Sequence, residues 1–284
     1  MNANAIAGVA LPKSSPGPAR LRWLASDAWV LAKRQFAHIR QIPEKLLDVT
    51  LQPIMFVLLF AYVFGGVIHV PGGGNYHEYL IGGILVQTLV FGLMGPGVSM
   101  ATDMGEGIID RFSSLPMSRP AYLIGHLTAE FCATLLAIAI MIVSGLIVGW
   151  GISSSIGEAI GGFALLMLLA ITMIWLGTLM GVLVRSADAV QGIAFITVFP
   201  LTFVANTFVP VSGLPEGLRQ VAEYNPVSAW TAAVRTLFGN PTAIPSGAAW
   251  PLEHPVVAGL IWCVAILAAV VPLTVRAYRK RTTG

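Results

Sequence analysis

Apolar residues along this chain gather into long unbroken windows rather than alternating or recurring at amphipathic spacing. A helix needs about 20 apolar residues to cross the hydrocarbon core of a bilayer, and six windows reach or approach that length. They lie at about 51–69, 79–102, 121–149, 159–184, 189–211 and 255–275. The third is interrupted only by Glu130. The strict alternation expected of membrane β-strands is absent. The pattern therefore predicts an all-α polytopic fold of six transmembrane helices, covering residues 44–284.

Composition strengthens that reading. Of 284 residues, 56% are hydrophobic and 10% charged, with a mean hydropathy of +0.80. A soluble domain carries roughly 25% charged residues, so this chain has too few to coat a surface facing water. The basic residues then fix an orientation, because Lys and Arg concentrate on cytoplasmic loops. Fourteen of the sixteen fall before the first window, in the loops after the second and fourth, or in the tail. Only Arg219 and Arg235 fall on the other side. Six spans with both termini in the cytosol satisfy this alternation.

Three segments between the windows carry candidate function. Residues 1–20 are rich in Ala, Pro, Ser and Gly and read as a disordered cytosolic tail. Residues 21–43 read as an amphipathic helix in the cytosolic interface, ended by Pro43. Trp29 and Phe36 lie on its apolar face, and Lys33, Arg34 and Arg40 on the other. It serves either as a lipid anchor or as a docking surface for a cytosolic partner.

The loop between the second and third spans holds Asp103, Glu106, Asp110, Arg111, Phe112, Leu115, Pro116 and Arg119. If the second helix continued into this loop, the three acids would share a face at i, i+3 and i+7. Phe112 and Leu115 would form an apolar knob ringed by charge, suited to insertion into a partner. On the opposite side, Leu214–Glu223 and Pro226–Phe238 are two amphipathic pieces too short to span. They read as a re-entrant pair, with Asn225-Pro226 starting the second.

Polar groups inside a membrane are functional suspects. His126 and Glu130 sit one turn apart in the third span, as a structural hydrogen-bonding pair or part of a pathway or gate. Pro96, between Gly95 and Gly97, and Pro200 should kink the second and fifth spans. Cys132 and Cys263 lie in apolar runs with no motif spacing and read as small buried residues.

Several chemistries are unsupported. No lysine follows a glycine, so a phosphate-cradling G-x-x-x-x-G-K-[ST] loop is missing. The five histidines show no metal-ligand spacing, and no G-x-S-x-G elbow occurs. The chain is expected to bind no cofactor or metal and to catalyse nothing alone.

The run Arg111-Phe-Ser-Ser-Leu-Pro-Met-Ser-Arg119 resembles an Arg-Phe-x-Ser-Leu-Pro-Met-x-Arg pattern of the ABC-2 type exporter permeases, in their daunorubicin/doxorubicin-resistance branch. Phe199-Pro-Leu-Thr-Phe203, Phe208-Val-Pro-Val211, Asn225-Pro-Val-Ser228 and Ala233-Val-Arg235 are similar to the same branch, in the same order. The resemblance implies a separate cytosolic ATP-binding subunit that holds ATP and Mg. It also implies a second permease, as a copy or a sister chain, in a bacterial cell membrane. The loop of residues 103–119 would be the coupling element, and the segment around Phe208, Asn225 and Pro226 would lie on the exit path. The low charge of the spans suits a lipophilic cargo. An ion-coupled secondary transporter, which would lean on Glu130, is the alternative.

Overall fold

The computed structural model describes residues 75–107, 119–184, 186–245 and 247–282, with scattered positions between 51 and 62. Every regular element among the described residues is helical. They are α1 (Tyr76–Phe91), α2 (Met94–Gly105), α3 (Arg119–Ile147), α4 (Ile156–Leu183) and α5 (Ala187–Val204). After them come α6 (Glu216–Tyr224), α7 (Pro226–Phe238), the single turn α8 (Trp250–Glu253) and α9 (Pro255–Thr282). Five segments are long and apolar enough to cross a membrane: Tyr76–Gly105 (α1 with α2), α3, α4, α5 and α9. They match the second to sixth predicted windows. The interface helix 21–43, most of the first window and residues 108–118 lie outside the described residues.

The span Tyr76–Gly105 is the centre of the bundle. In its most apolar stretch 67% of residues are buried, against 22% in α3, α5 and α9. Consecutive residues Tyr79–Val86 are all buried, so α1 is enclosed on every face rather than along one stripe. The helix is interrupted at Gly92–Leu93 and restarts at Met94. Pro96 accounts for the position of this break. Its ring has no N–H to donate to the carbonyl four residues earlier and clashes with it, and that carbonyl belongs to Gly92.

α2 packs chiefly on α4, and the contact is made by small residues. Gly177 and Gly181 of α4 form a G-x-x-x-G pair that brings the two backbones together. A methyl group at Gly177 would overlap the Leu93 carbonyl oxygen, and one at Gly181 the Gly97 carbonyl oxygen. α9 covers α4 from another side, and α7 wedges between α9, α1 and α4. The Trp230 indole N–H donates to the Gly259 carbonyl at 3.0 Å, locking α7 to α9.

Other element boundaries differ from the windows for local reasons. α4 starts at Ile156 because Ser155 and Glu158 form a reciprocal capping box. α5 ends at Val204, short of the predicted 211, because Ala205–Phe208 leave the helix to bond other elements. α9 continues to Thr282, past the predicted 275, with Arg279, Lys280 and Arg281 in its last turn. Cations there complement the partial negative charge of a helix C-terminus.

Candidate functional site

Helix ends and their contacts sort into two clusters. At one end of the bundle lie the starts of α1, α4 and α9, the ends of α3 and α5, and all of α6–α8. At the other lie the ends of α2, α4 and α9 and the starts of α3 and α5. Each cluster has its own polar network.

The first network grips the C-terminal end of α5. A helix terminus leaves its last carbonyls without intrahelical donors, and α7 supplies them. Asn225 caps α7, accepting from the Val227 N–H at 2.9 Å, while its Nδ2 donates to the Leu201 carbonyl at 2.7 Å. Pro226 follows at the first helical position, where its missing N–H is harmless. Ser228 Oγ accepts from the Asn206 N–H at 3.1 Å. Arg235, fully buried, donates from Nε to Tyr79 O (2.7 Å), from Nη1 to Asn206 O (2.8 Å) and from Nη2 to Thr207 O (2.8 Å). Its guanidinium carbon lies 3.4 Å from the centroid of the Tyr79 ring, a cation–π contact. Tyr79 Oη donates to Asn206 O at 2.8 Å and Tyr76 Oη to Phe208 O at 3.3 Å.

Three consecutive carbonyls beyond α5 are thus held by α1 and α7. Two glycines permit the approach. A methyl at Gly83 would overlap Thr207 O, and one at Gly82 would stand 2.8 Å from Arg235 Cγ. The segment Asn225–Arg235 therefore acts as a clasp on the end of α5. Arg235 was read from the sequence as a cation of an external segment; the structure buries it, and among the described residues no carboxylate pairs with it. The other basic residue of that segment, Arg219, bonds Glu223 at 2.8 Å.

From this clasp an aromatic series descends α5. Phe208, buried, stacks on Phe60 with centroids 4.1 Å apart and lies 5.5 Å from Phe203. Phe203 stacks on Phe199 at 4.2 Å, and Phe199 on Phe195 at 5.1 Å. Phe195, Phe199 and Phe203 are all exposed. α5 buries only Val190, Ala194, Val198 and Thr202, a stripe one residue wide per turn. Pro200 is exposed, and the helix runs through it without interruption.

The second network surrounds the stem of the loop from 103 to 119. Asp103, half-buried near the end of α2, accepts a hydrogen bond from the Tyr122 hydroxyl on α3. Tyr122 stacks between His126 (6.3 Å) and Tyr278 of α9 (6.5 Å). Arg281 Nη2 donates to the Leu183 carbonyl at the end of α4, at 3.3 Å. The helical condition for an acidic face from Asp103 to Asp110 is not met. α2 stops at Gly105, Glu106 is exposed in the turn, and Gly107 adopts a positive φ of 65° that only glycine takes without strain. Asp110, Arg111, Phe112, Leu115 and Pro116, the Arg119 side chain, and Trp29, Lys33, Arg34, Phe36 and Arg40 lie outside the described residues.

Above this stem the polar pair on α3 faces the helix break. His126 is buried and hydrogen-bonds the Pro96 backbone, which offers only its carbonyl. Its Nε2 has no partner among the described groups. Glu130 Oε2 lies 3.6 Å from the position a Gly95 methyl would take. Among the described residues no cluster of His, Cys, Asp and Glu is arranged to hold a metal ion.

These features define a multi-pass helical membrane protein whose spans are tied at both ends by side chains from neighbouring helices. Residues 26–238 match the model of the ABC-2 type transporter family, and the chain belongs to that family. It is 28% identical over 250 residues to the daunorubicin resistance ABC transporter permease protein DrrB1 of Streptomyces coeruleorubidus, covering 87% of this chain and 84% of the relative. To the doxorubicin resistance ABC transporter permease protein DrrB of Mycobacterium tuberculosis it is 24% identical over 247 residues, covering 84% and 85%. To the putative transport permease ycf38 of Porphyra purpurea it is 26% identical over 221 residues, covering 74% and 73%. The chain is thus a transport membrane component of the ABC type, a family that is not catalytic alone and works with an ATP-binding partner.

Proposed function

We propose that this chain is the permease subunit of an ATP-driven exporter that moves lipophilic small molecules across a bacterial cell membrane. A separate cytosolic subunit holds the ATP and Mg, and a second permease, as a copy or a sister chain, completes the path. The Arg281 end of the bundle faces the cytosol together with both termini, and α6–α8 form the re-entrant external structure. The loop of residues 103–119 receives the stroke of the ATPase, its stem pinned by Asp103 and Tyr122. The interface helix 21–43 makes the second contact.

The observation that carries this reading is the surface of α5. A span buried along four positions presents most of its circumference outward, and Phe195, Phe199 and Phe203 form a continuous stacked face there. Offset-stacked rings offer a large apolar area with little conformational entropy to lose, which suits a flat lipophilic cargo passing between two permeases. The names of the two drug-resistance relatives point the same way. Coupling to protons or sodium would require a buried carboxylate in the path, to carry the proton or to ligate the ion. Glu130, at the helix break, keeps that alternative testable.

The test is export of a hydrophobic fluorescent dye from vesicles containing the complex, for the wild type and for Phe199→Ala with Phe203→Ala. The reading predicts slower ATP-dependent export and a higher KM for the dye, with basal ATP turnover retained. Unchanged dye kinetics would remove α5 from the path. Export driven by an ion gradient with ATP absent would replace the reading with its alternative.

A further inference from the structure

The grip on the end of α5 satisfies the backbone of the segment it holds but not its side chains. Two guanidinium nitrogens of Arg235 and the Tyr79 hydroxyl donate to carbonyls of the turn Asn206–Phe208, the third nitrogen donates to Tyr79 O on α1, and Ser228 Oγ accepts from the Asn206 N–H. The same turn carries two buried side-chain oxygens, Asn206 Oδ1 and Thr207 Oγ1, with no partner among the described groups. Both residues are almost wholly enclosed, at 2% and 0% exposure. Buried polar atoms are satisfied in the great majority of native structures, and entry of water would satisfy both. The turn therefore carries, while closed, a local cost that opening would relieve.

The way Arg235 holds it also suits release. A buried guanidinium loses its hydration, and here only carbonyl dipoles and one aromatic face replace it. Hydrogen bonds weaken steeply with distance and misalignment. A shift of the turn by about an ångström or two would thus break the Asn206 and Thr207 contacts together rather than by degrees. The turn lies directly beyond α5, and its ring, Phe208, is the end of the aromatic series. Gly83 lets the Thr207 carbonyl rest directly against the α1 backbone in the closed position.

We propose that Arg235 is a positioning residue that, with Tyr79, latches the turn Asn206–Phe208 over the outer end of α5, and that the latch opens during the ATP cycle to let cargo leave. This rests on the permease reading above. Arg235 need not touch the cargo; it acts by setting whether Phe208, buried at the end of the aromatic series, stays packed or moves out with the turn to the outer side.

The experiment uses the complex with its ATP-binding partner in right-side-out vesicles. Thr207→Cys is introduced into a chain whose Cys132 and Cys263 are replaced by alanine. The substitution is close in size and removes a hydroxyl that has no partner among the described groups. A membrane-impermeant maleimide is added outside. Little labelling is expected without nucleotide, with a rise of about tenfold or more during ATP turnover. Adding Tyr79→Phe removes one hydrogen bond from the turn and should raise the nucleotide-free rate by about threefold to tenfold. Labelling that is equal with and without ATP, in a complex that still hydrolyses ATP, overturns the latch. A chain that recruits no ATPase overturns the permease reading instead, and absence of ATP turnover distinguishes the two. Because Thr207→Cys reports on an intact Arg235, the test does not depend on whether Arg235 variants fold.

Discussion

Replacing Gly177 by alanine tests the packing of the broken central span on α4. The methyl group would overlap the Leu93 carbonyl oxygen at the helix break. That oxygen belongs to the backbone, so no rotamer change relieves the contact and α2 must separate from α4. Overpacking of this kind costs about 1–3 kcal/mol, while alanine recovers about 0.5–1 kcal/mol of helix propensity lost to glycine. The net destabilisation is about 1–2 kcal/mol, or a fall of about 2–5 °C in Tm. Gly157, in the first turn of α4, has nothing within 4 Å of an added methyl, and Gly157→Ala should be neutral or slightly stabilising. Fluorescence-detected thermal unfolding in mild detergent compares the two. A Gly177→Ala protein at least as stable as Gly157→Ala would refute the close α2–α4 contact, and with it the helix break placed at Gly92–Leu93.

Three further outcomes follow from named contacts. Tyr122→Phe removes only the hydroxyl that bonds Asp103, a hydrogen bond to a charged acceptor worth about 1.5–3 kcal/mol. It should leave the complex assembled but reduce the ATP turnover that dye addition stimulates, measured as the ratio of stimulated to basal rate. Glu130→Gln should retain most ATP-driven dye export; complete loss with assembly intact would favour ion coupling. Trp150→Phe leaves Asn240 Oδ1 without its 2.9 Å donor and should cost about 1–3 kcal/mol, read as a lower Tm with unaltered ATPase recruitment.

How much of this molecule was legible in the sequence depended on the physics that each feature obeys. Spans two to six were readable because lipid imposes a length and an apolar composition that no local packing overrides. The break was nearly so: Gly95-Pro96-Gly97 marked the region, but Pro96 acts four residues upstream, so the helix parts at Gly92. The short helices α6 and α7 also fell where their amphipathic pattern placed them. Arg235 was legible as a charge and illegible as a latch. Its partners are carbonyls at Tyr79, Asn206 and Thr207, and a carbonyl leaves no mark in a sequence of side chains. The Gly177–Gly181 pair carried a readable G-x-x-x-G signal that sequence reading passed over. Asp103 and Tyr122, 19 residues apart across a loop, come together only once α2 and α3 are set side by side.

The central claim is that this chain is driven by a separate ATPase through residues 103–119, and copurification tests it most directly. The chain is isolated from its native membrane in mild detergent, and ATP turnover of the recovered complex is measured for the wild type and for Phe112→Asp with Leu115→Asp. The account predicts a copurifying ATP-binding subunit whose turnover or recovery falls sharply in the double variant. Recovery of the chain alone, or turnover indifferent to both substitutions, would contradict it.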